Sequence, residues 1–262
     1  MGVLNVTPDS FSDGGKFLAT DAAIRQAENM FEAGAAIVDV GGESTRPGAE
    51  RISEDEELDR VIPVIEAISE ATDIAVSVDT SKPGVMRAAV NAGASMINDV
   101  YALRQEGATD VAAELGVTVC LMHMQGEPGN MQEKPRYQDM PGDILDFLSE
   151  RIAECRAAGI EDERIVIDPG FGFGKTHEHN VRLLASLERF QELGMPLLVG
   201  LSRKRTLGEL TGKDVEERLA AGIAAAVLAV ERGAHIVRTH DVAETVDALK
   251  IASAVMQPGK DE

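Results

Sequence analysis

Short apolar runs recur along this chain, and each ends at or just before a polar residue that can take part in chemistry. The eight runs are GVLNV, AAIVDVG, IAVSVDT, SMINDV, VTVCLMH, RIVIDPG, PLLVGLS and AHIVRTH. At or just beyond their ends lie Asn5, Glu43, Asp79, Asn98, His123, Asp168, Lys204, and the pair Arg238 and His240. The segments between the runs have helical spacing, and this strict alternation predicts a parallel sheet with helical crossovers.

The number of runs and the position of the polar groups decide between two parallel folds. The runs are nearly continuous, which is typical of strands covered on both faces. An open doubly wound sheet fits that pattern, but it would concentrate its polar groups at one switch point. Eight strands with a polar group after each favour a closed (β/α)8 TIM barrel, for which about 250 residues are typical. We therefore predict one catalytic domain over residues 1–262, with an ordered barrel to about residue 256 and a polar tail at 257–262.

Composition and charge restrict the class of partner. The formal net charge of −20 argues against nucleic acid. No apolar run approaches the roughly 20 residues that span a bilayer, and we expect no secretory signal before the first run. Two cysteines without a CxxC spacing predict buried thiols in a cytoplasmic protein. An anionic small substrate stays possible, because basic residues near the strand ends could form a positive pocket: Arg46, Lys175, Arg203, Lys204 and Arg238.

The glycine-rich tract DPGFGFGKT at residues 168–176 does not match a nucleotide-binding loop. A P-loop needs four residues between its first glycine and the Gly-Lys pair, and here Gly170 and Gly174 are separated by three. The dinucleotide fingerprint fails as well, because position 175 is lysine. We predict a sharp turn after the sixth strand that presents Phe171 and Phe173 to a flat ligand. A plain strand-to-helix connection is the alternative.

Two groups of strand-end residues indicate ligand binding. Asp79, Asn98 and Asp168 combine carboxylates with an amide, which suits the donor and acceptor edge of a heterocycle. The alternative is that each of them caps a helix or orders a loop. The second group combines two arginines, an imidazole and an amide, which suits a phosphate with a bound divalent cation. Three of its four members follow the first and last strands, which are neighbours in a closed barrel. The group comprises Asn5, Arg46, Arg238 and His240.

Other polar residues carry weaker signals. The tract SRK at 202–204 opens a helix, whose free N–H groups attract an anion beside Lys204. His177 and His179 are predicted to be surface residues, because two positions apart on a helix they do not face the same way. His123 ends the fifth strand on the functional side of the barrel, where an ordering role and a catalytic role are equally open.

Taken together, these residues resemble the dihydropteroate synthase family, folate-pathway enzymes that sulfonamides inhibit. The matching tracts lie in order from residue 2 to about residue 246: GVLNVTPDSFSDGG, DVGGESTRPGA, SVDTSKP, INDV, LMHMQG, DPGFGFGK, GLSRK and RTHDV. The resemblance implies a TIM barrel and a transferase. Its reaction joins (7,8-dihydropterin-6-yl)methyl diphosphate to 4-aminobenzoate, which gives 7,8-dihydropteroate and diphosphate. The family's magnesium and its common homodimer imply the same here.

The resemblance also implies a role for each matching residue. Pterin contacts and the catalytic groups are assigned to Asp79, Asp168 and Lys204, with Asn98 as a further pterin contact. The diphosphate set is Asn5, Thr45, Arg46, Arg238 and His240, of which Asn5 is the magnesium ligand. The 4-aminobenzoate set is Thr45, Pro47, Phe173, Lys204 and Arg205.

Two departures from the family pattern change the expectations. Many members carry a further N-terminal hairpin that covers the barrel floor, so we expect lower stability than in a version with such a hairpin. Arg205 stands where many members have serine, beside the position implied for the aminobenzoate carboxylate.

Two other functions compete. A pterin-binding, corrinoid-dependent methyltransferase would share the pterin pocket but would not need the diphosphate set. A non-catalytic folate-binding barrel would not need to keep Asp79, Lys204 and Arg238.

Overall fold

The computed structural model describes residues 1–7, 16–45 and 48–256, and each of the eight apolar runs contributes a strand there. The strands are β1 Gly2–Asn5, β2 Ile37–Gly41, β3 Ala75–Asp79, β4 Met96–Asp99, β5 Thr118–Met122, β6 Ile165–Asp168, β7 Leu198–Val199 and β8 Ile236–Val237. The polar tail predicted at 257–262 lies outside the described residues.

Parallel pairing closes these strands into a barrel. Strands β1 to β6 pair in chain order, and β7 pairs with β8. A bridge between Ile167 and Leu197 joins the two sheets on one side, and a bridge between Gly2 and Thr239 joins them on the other. The backbone N–H of Val3 donates to the carbonyl of Thr239 over 3.0 Å at that second seam. The closed barrel is therefore confirmed, and the open sheet is excluded.

Helices follow the strands and cover the outside of the barrel. They are α1 Lys16–Glu32, α2 Glu54–Ala71, α3 Pro83–Asn91, α4 Ala108–Leu115, α5 Gly142–Ala157, α6 His177–Ala185, α7 Arg205–Thr211, α8 Leu219–Glu231 and α9 Val242–Met256. Ser53 caps α2 by accepting the backbone N–H of Glu56 over 3.1 Å. None of the helices in the described ranges has both the length and the apolar character needed to cross a membrane.

Alternate residues of the strands face two different environments. Val38, Ile97 and Ile167 belong to the large core between strands and helices. Their neighbours in the chain point into the barrel, where an apolar layer is formed by Ile37, Met96, Cys120, Val166, Leu198 and Ile236. Two residues further along four of these strands stand Asp39, Asn98, Asp168 and Arg238. Because side chains two apart share a face, a polar layer lies directly above the apolar one.

The predicted sharp turn follows β6. Gly170, Gly172 and Gly174 have φ values of +72°, +82° and +60°, in the region that favours glycine. At Gly170 the turn also passes close to the end of β5, since a Cβ there would lie 1.9 Å from the carbonyl O of His123. The turn can take this path only with glycine at residue 170.

Gly170→Ala should therefore lower the free energy of unfolding by about 3 kcal/mol or more. The left-handed backbone accounts for about 1–2 kcal/mol of this, and the collision with His123 adds the rest. Gly212→Ala is the matched control, because Gly212 has φ +68° with nothing within 4 Å of the added carbon. Equal losses in urea denaturation of the two variants would contradict the close approach.

Candidate active site

A small, open cleft lies at one mouth of the barrel, beside the carboxyl ends of β2, β3 and β4. Asp79 at the end of β3 and Thr45 in the loop after β2 both line it. Arg46 and Pro47 lie outside the described residues. The loop is held at its base by Lys82, whose ammonium group contacts the carboxylates of Glu43 and Glu57.

One guanidinium group connects the polar layer at the centre of this mouth. Arg238 donates from Nε to Oδ2 of Asp39 over 2.6 Å and from Nη2 to Oδ2 of Asp79 over 2.9 Å. Asn98 donates from Nδ2 to the same Asp39 oxygen over 3.0 Å. We call Asp39, Asp79, Asn98 and Arg238 the central cluster. It joins strands β2, β3, β4 and β8 and so fixes the side chains of four strand ends relative to one another.

Burial sets the protonation of the cluster. It raises the pKa of Asp79 to about 7, with the nearby charge of Asp39 adding to the rise and Arg238 opposing it. Burial also opposes the charge of Arg238, but the two carboxylates outweigh it and raise the pKa of this guanidinium. Asp79 is therefore close to its titration point at neutral pH, while Arg238 stays charged.

A second group lies between β6 and β7. Asp168 accepts the backbone N–H of Gly170 on Oδ1 over 2.7 Å, and burial raises the pKa of its carboxyl. Nζ of Lys204 lies 4.3 Å from the ring centroid of Phe173, which is a cation–π contact. Burial, with a smaller contribution from Arg238, lowers the pKa of Lys204 to about 8. The structure thus brings together a carboxylate, an ammonium group and an aromatic face.

His240 lies just beyond β8, beside the loop after β7. Its backbone N–H donates to Oγ of Ser202 over 3.3 Å, and its Nδ1 lies 3.0 Å from the same oxygen. Burial, and then the charges of Arg203 and Arg238, lower the pKa of His240 to about 4. The arrangement suits a neutral ring in which Ser202 donates to Nδ1 and Nε2 carries the remaining hydrogen. Such a ring offers one neutral donor to an anion.

The candidate metal ligand is a single amide. Asn5 is half-buried at the end of β1, next to the register position of Gly41. Among the residues that the structure describes, no group of three or more His, Cys, Asp or Glu side chains is arranged to hold a metal ion. One oxygen from Asn5 nevertheless fits magnesium, since this ion commonly takes only one or two protein oxygens and completes its shell with substrate phosphates and water.

Three sequence-based interpretations need correction or refinement. Lys175 does not join a positive pocket, because its side chain is only 3% exposed beneath the turn after β6. Phe171 was predicted to face a ligand but packs in the large outer core. The side chain of Arg205 is 86% exposed and pairs with Glu209 over 2.6 Å, so its part in the aminobenzoate set stays a prediction.

Asp39 is the functional candidate that the sequence analysis missed. It lies inside the run AAIVDVG rather than at its end, so a search of strand ends passes over it. A charged residue in the middle of an apolar strand was the available signal, because such a residue is almost never fully buried unless it is paired. Its side chain is fully buried, and Arg238 and Asn98 are its partners.

The fold and this mouth define a barrel enzyme whose polar rim suits an anionic, heterocyclic substrate. Comparison with known proteins agrees, since the model of the family "Pterin binding enzyme" matches residues 1–240. The dihydropteroate synthase of Escherichia coli strain K12 is 52% identical over 256 residues, which are 98% of this chain and 91% of that protein.

Solved structures give the same result. A Xanthomonas albilineans dihydropteroate synthase with 4-aminobenzoic acid has a TM-score of 0.92 and 55% identity, with 98% of this chain and 92% of that chain covered. The same enzyme in complex with 7,8-dihydropteroate has a TM-score of 0.89 and 52% identity, with the same coverage. The chain belongs to the pterin binding enzyme family and, within it, to the dihydropteroate synthases, which are transferases of folate synthesis.

Removing the charge of Asp39 should weaken the central cluster. We expect Asp39→Asn to raise the KM for the pterin substrate roughly tenfold or more and to lower the melting temperature, because a charged hydrogen bond contributes about 1.5–3 kcal/mol. Asp162→Asn is the control, since Asp162 forms a two-contact pair with Arg156 on the exposed surface. Steady-state kinetics that do not distinguish the two variants would contradict a role for Asp39 in the site.

Proposed function

We propose that this chain joins (7,8-dihydropterin-6-yl)methyl diphosphate to 4-aminobenzoate at the barrel mouth, within one catalytic domain over residues 1–262. The observation that carries the residue assignment is the central cluster, in which one arginine is held by two carboxylates beside Asn98. The ligands of the two Xanthomonas structures, 4-aminobenzoic acid and 7,8-dihydropteroate, support these substrates.

The pterin is bound by Asp79, Asn98, Asp168 and Lys204. Carboxylates accept the ring N–H and amino hydrogens, and the amide both donates and accepts, so the set matches the alternating edge of a pterin. Asn98 and Asp168 are buried, and Asp79 and Lys204 are half-buried, which reduces competition from water. The apolar layer beneath them closes the pocket from below.

The diphosphate lies toward Asn5, Thr45, Arg46, Arg238 and His240. Arg238 contributes positive charge, and neutral His240 contributes a donor through Nε2. Asn5 would hold magnesium, which when bound neutralises the leaving diphosphate. Because Nε and Nη2 of Arg238 already serve Asp39 and Asp79, this arginine couples the pterin side of the site to the diphosphate side.

The reaction breaks one C–O bond and forms one C–N bond. The C–O bond to diphosphate breaks with its electron pair on the leaving group, and positive charge develops on the carbon and spreads into the pterin ring. Ionised Asp79 and Asp168 stabilise this charge in a site of low dielectric. The neutral aniline nitrogen of 4-aminobenzoate forms the C–N bond and releases its proton to solvent.

The aminobenzoate pocket is built from Thr45, Pro47, Phe173, Lys204 and Arg205. The ring of Phe173 supplies a flat face, and Lys204 stands above it as a cation for the carboxylate side. Ser202 and the start of α7 supply further donors on this side. Arg205 would have to leave Glu209 to reach the substrate carboxylate.

One assay separates this function from the two rivals. The protein is incubated with the pterin diphosphate, magnesium and labelled 4-aminobenzoate, and a parallel sample receives a chelator. Labelled dihydropteroate that depends on magnesium supports the synthase and its metal. Pterin binding without product would support a methyltransferase or a non-catalytic barrel.

The charge of Asp79 gives a kinetic prediction. Asp79→Asn should lower kcat by about 100-fold while raising the pterin KM less than tenfold, because the charge acts mainly on the transition state. The wild-type kcat/KM should fall as pH drops through about 7, where Asp79 takes up a proton. This fall should be absent from the variant. An unchanged kcat would contradict the charge-stabilising role, and exposed Asp247→Asn serves as the control.

We further propose a cytoplasmic homodimer formed through the outer helices. The buried, unpaired thiols of Cys120 and Cys155 support a reducing compartment. Ile251 and Val255 on α9 are 69% and 75% exposed, and Leu228 on the adjoining α8 is 41% exposed, which favours a covered face here.

The double variant Ile251→Glu with Val255→Glu should shift the protein from dimer to monomer, because charges would be buried against the partner. Light scattering after size-exclusion chromatography measures the mass. Val181→Glu on α6 is the control, since Val181 is 41% exposed away from this face. A wild-type monomer, or a double variant that stays dimeric, would exclude this interface.

A further inference from the structure

A buried ammonium group lies beneath the turn after β6 and touches the turn from inside. Nζ of Lys175 donates to the carbonyl O of Gly170 over 2.8 Å and to that of Phe173 over 3.1 Å. It lies 3.0 Å from Nδ1 of His123, at the end of β5. The carbonyl O of His123 lies 3.5 Å away as a further acceptor, and all four partners are neutral.

A buried lysine destabilises the folded state unless its N–H groups form hydrogen bonds. Burying a charge is unfavourable, and burial lowers the pKa of Lys175 to about 7. In the described part of the chain, the ammonium group forms no ion pair with a carboxylate. Its three N–H groups are instead directed at backbone and ring acceptors, which an apolar side chain of the same length could not hold.

The held carbonyl groups belong to the residues that shape the active site. The N–H of Gly170 donates to Asp168, and the N–H of Phe173 donates to the carbonyl of Gly170 over 3.1 Å. The ring of Phe173 lies beneath Lys204. A contact that fixes the carbonyl groups of Gly170 and Phe173 therefore fixes the backbone of the turn that connects Asp168, on the pterin side, with Phe173, on the aminobenzoate side.

His123 anchors the other end of this contact. Its ring packs edge-on against Phe147, with the centroids 5.0 Å apart. Burial, and then the charge of Lys175, lower its pKa to about 2, so the ring stays neutral and Nδ1 stays an acceptor. The geometry favours the ordering role over the catalytic role that the sequence left open.

We propose that Lys175 is a positioning residue: it ties the carbonyl groups of Gly170 and Phe173 to the His123 ring and thereby holds the turn that presents Phe173 to 4-aminobenzoate. The ammonium group that fixes the turn is itself held by neutral hydrogen-bond acceptors and not by a carboxylate. The substrate named here rests on the proposed function, whereas the tie itself does not.

Kinetics test the positioning role. Lys175→Met keeps the length of the side chain but removes its donors, and Lys213→Met removes an exposed lysine as the control. We expect the KM for 4-aminobenzoate to rise about tenfold in Lys175→Met, with kcat and the pterin KM changed less than threefold. Unchanged KM values, or a loss of kcat with an unchanged KM for 4-aminobenzoate, would overturn the proposal.

Hydrogen–deuterium exchange tests the tie without turnover. Amides of residues 170–176 should exchange about tenfold faster in Lys175→Met than in the wild type or Lys213→Met. If the wild type forms no dihydropteroate, the proposed function fails while this measurement still decides whether the tie exists. Exchange in 170–176 equal to that of the wild type would overturn the tie.

A second variant covers the case in which Lys175→Met does not fold. His123→Phe keeps a ring against Phe147 but removes the Nδ1 acceptor. Exchange in residues 170–176 should again be faster, by a smaller factor, because the three backbone carbonyl contacts of Lys175 remain. An unchanged exchange rate in folded His123→Phe would overturn the part assigned to His123 and with it the proposal.

Discussion

The pairing of Arg238 with two buried carboxylates is the interaction on which the barrel mouth depends. A guanidinium group has a planar set of donors, so it can hold Asp39 and Asp79 in fixed positions at the same time. Asn98 joins through the Asp39 oxygen. Lower in the barrel these four strands are joined by backbone hydrogen bonds and by the apolar layer. At the rim, where we propose that the substrates bind, polar side chains join them as well.

The same burial that orders the mouth also tunes its charges. Desolvation raises the pKa of Asp79 toward neutrality and lowers those of Lys204 and Lys175. Burial is the largest cause for all three groups, and the opposite charges around them partly offset it. Strongly shifted groups gathered at one mouth are typical of functional sites. The acidic surface of the chain has little part in this, since local partners dominate.

Sequence reasoning succeeded where a residue's neighbours in the chain fix its environment. The eight runs, the Ser53 cap and the glycine turn follow from local geometry, and each is present in the structure. It missed Asp39, and it was wrong for Phe171 and Lys175. In all three cases the direction of the side chain decides the environment, and that direction is set by packing against strands and loops distant in the chain.

The sequence alone determined the barrel, the family resemblance and the set of strand-end residues, because strand periodicity and turn chemistry are local properties. Only the tertiary structure decided how the charges are shared. The pairing of Arg238 with residues 159 and 199 positions away, and of Lys175 with His123 52 positions away, exists because barrel closure brings the strand ends together. Desolvation, which sets the protonation of these groups, depends on the same closure and has no counterpart in the linear chain.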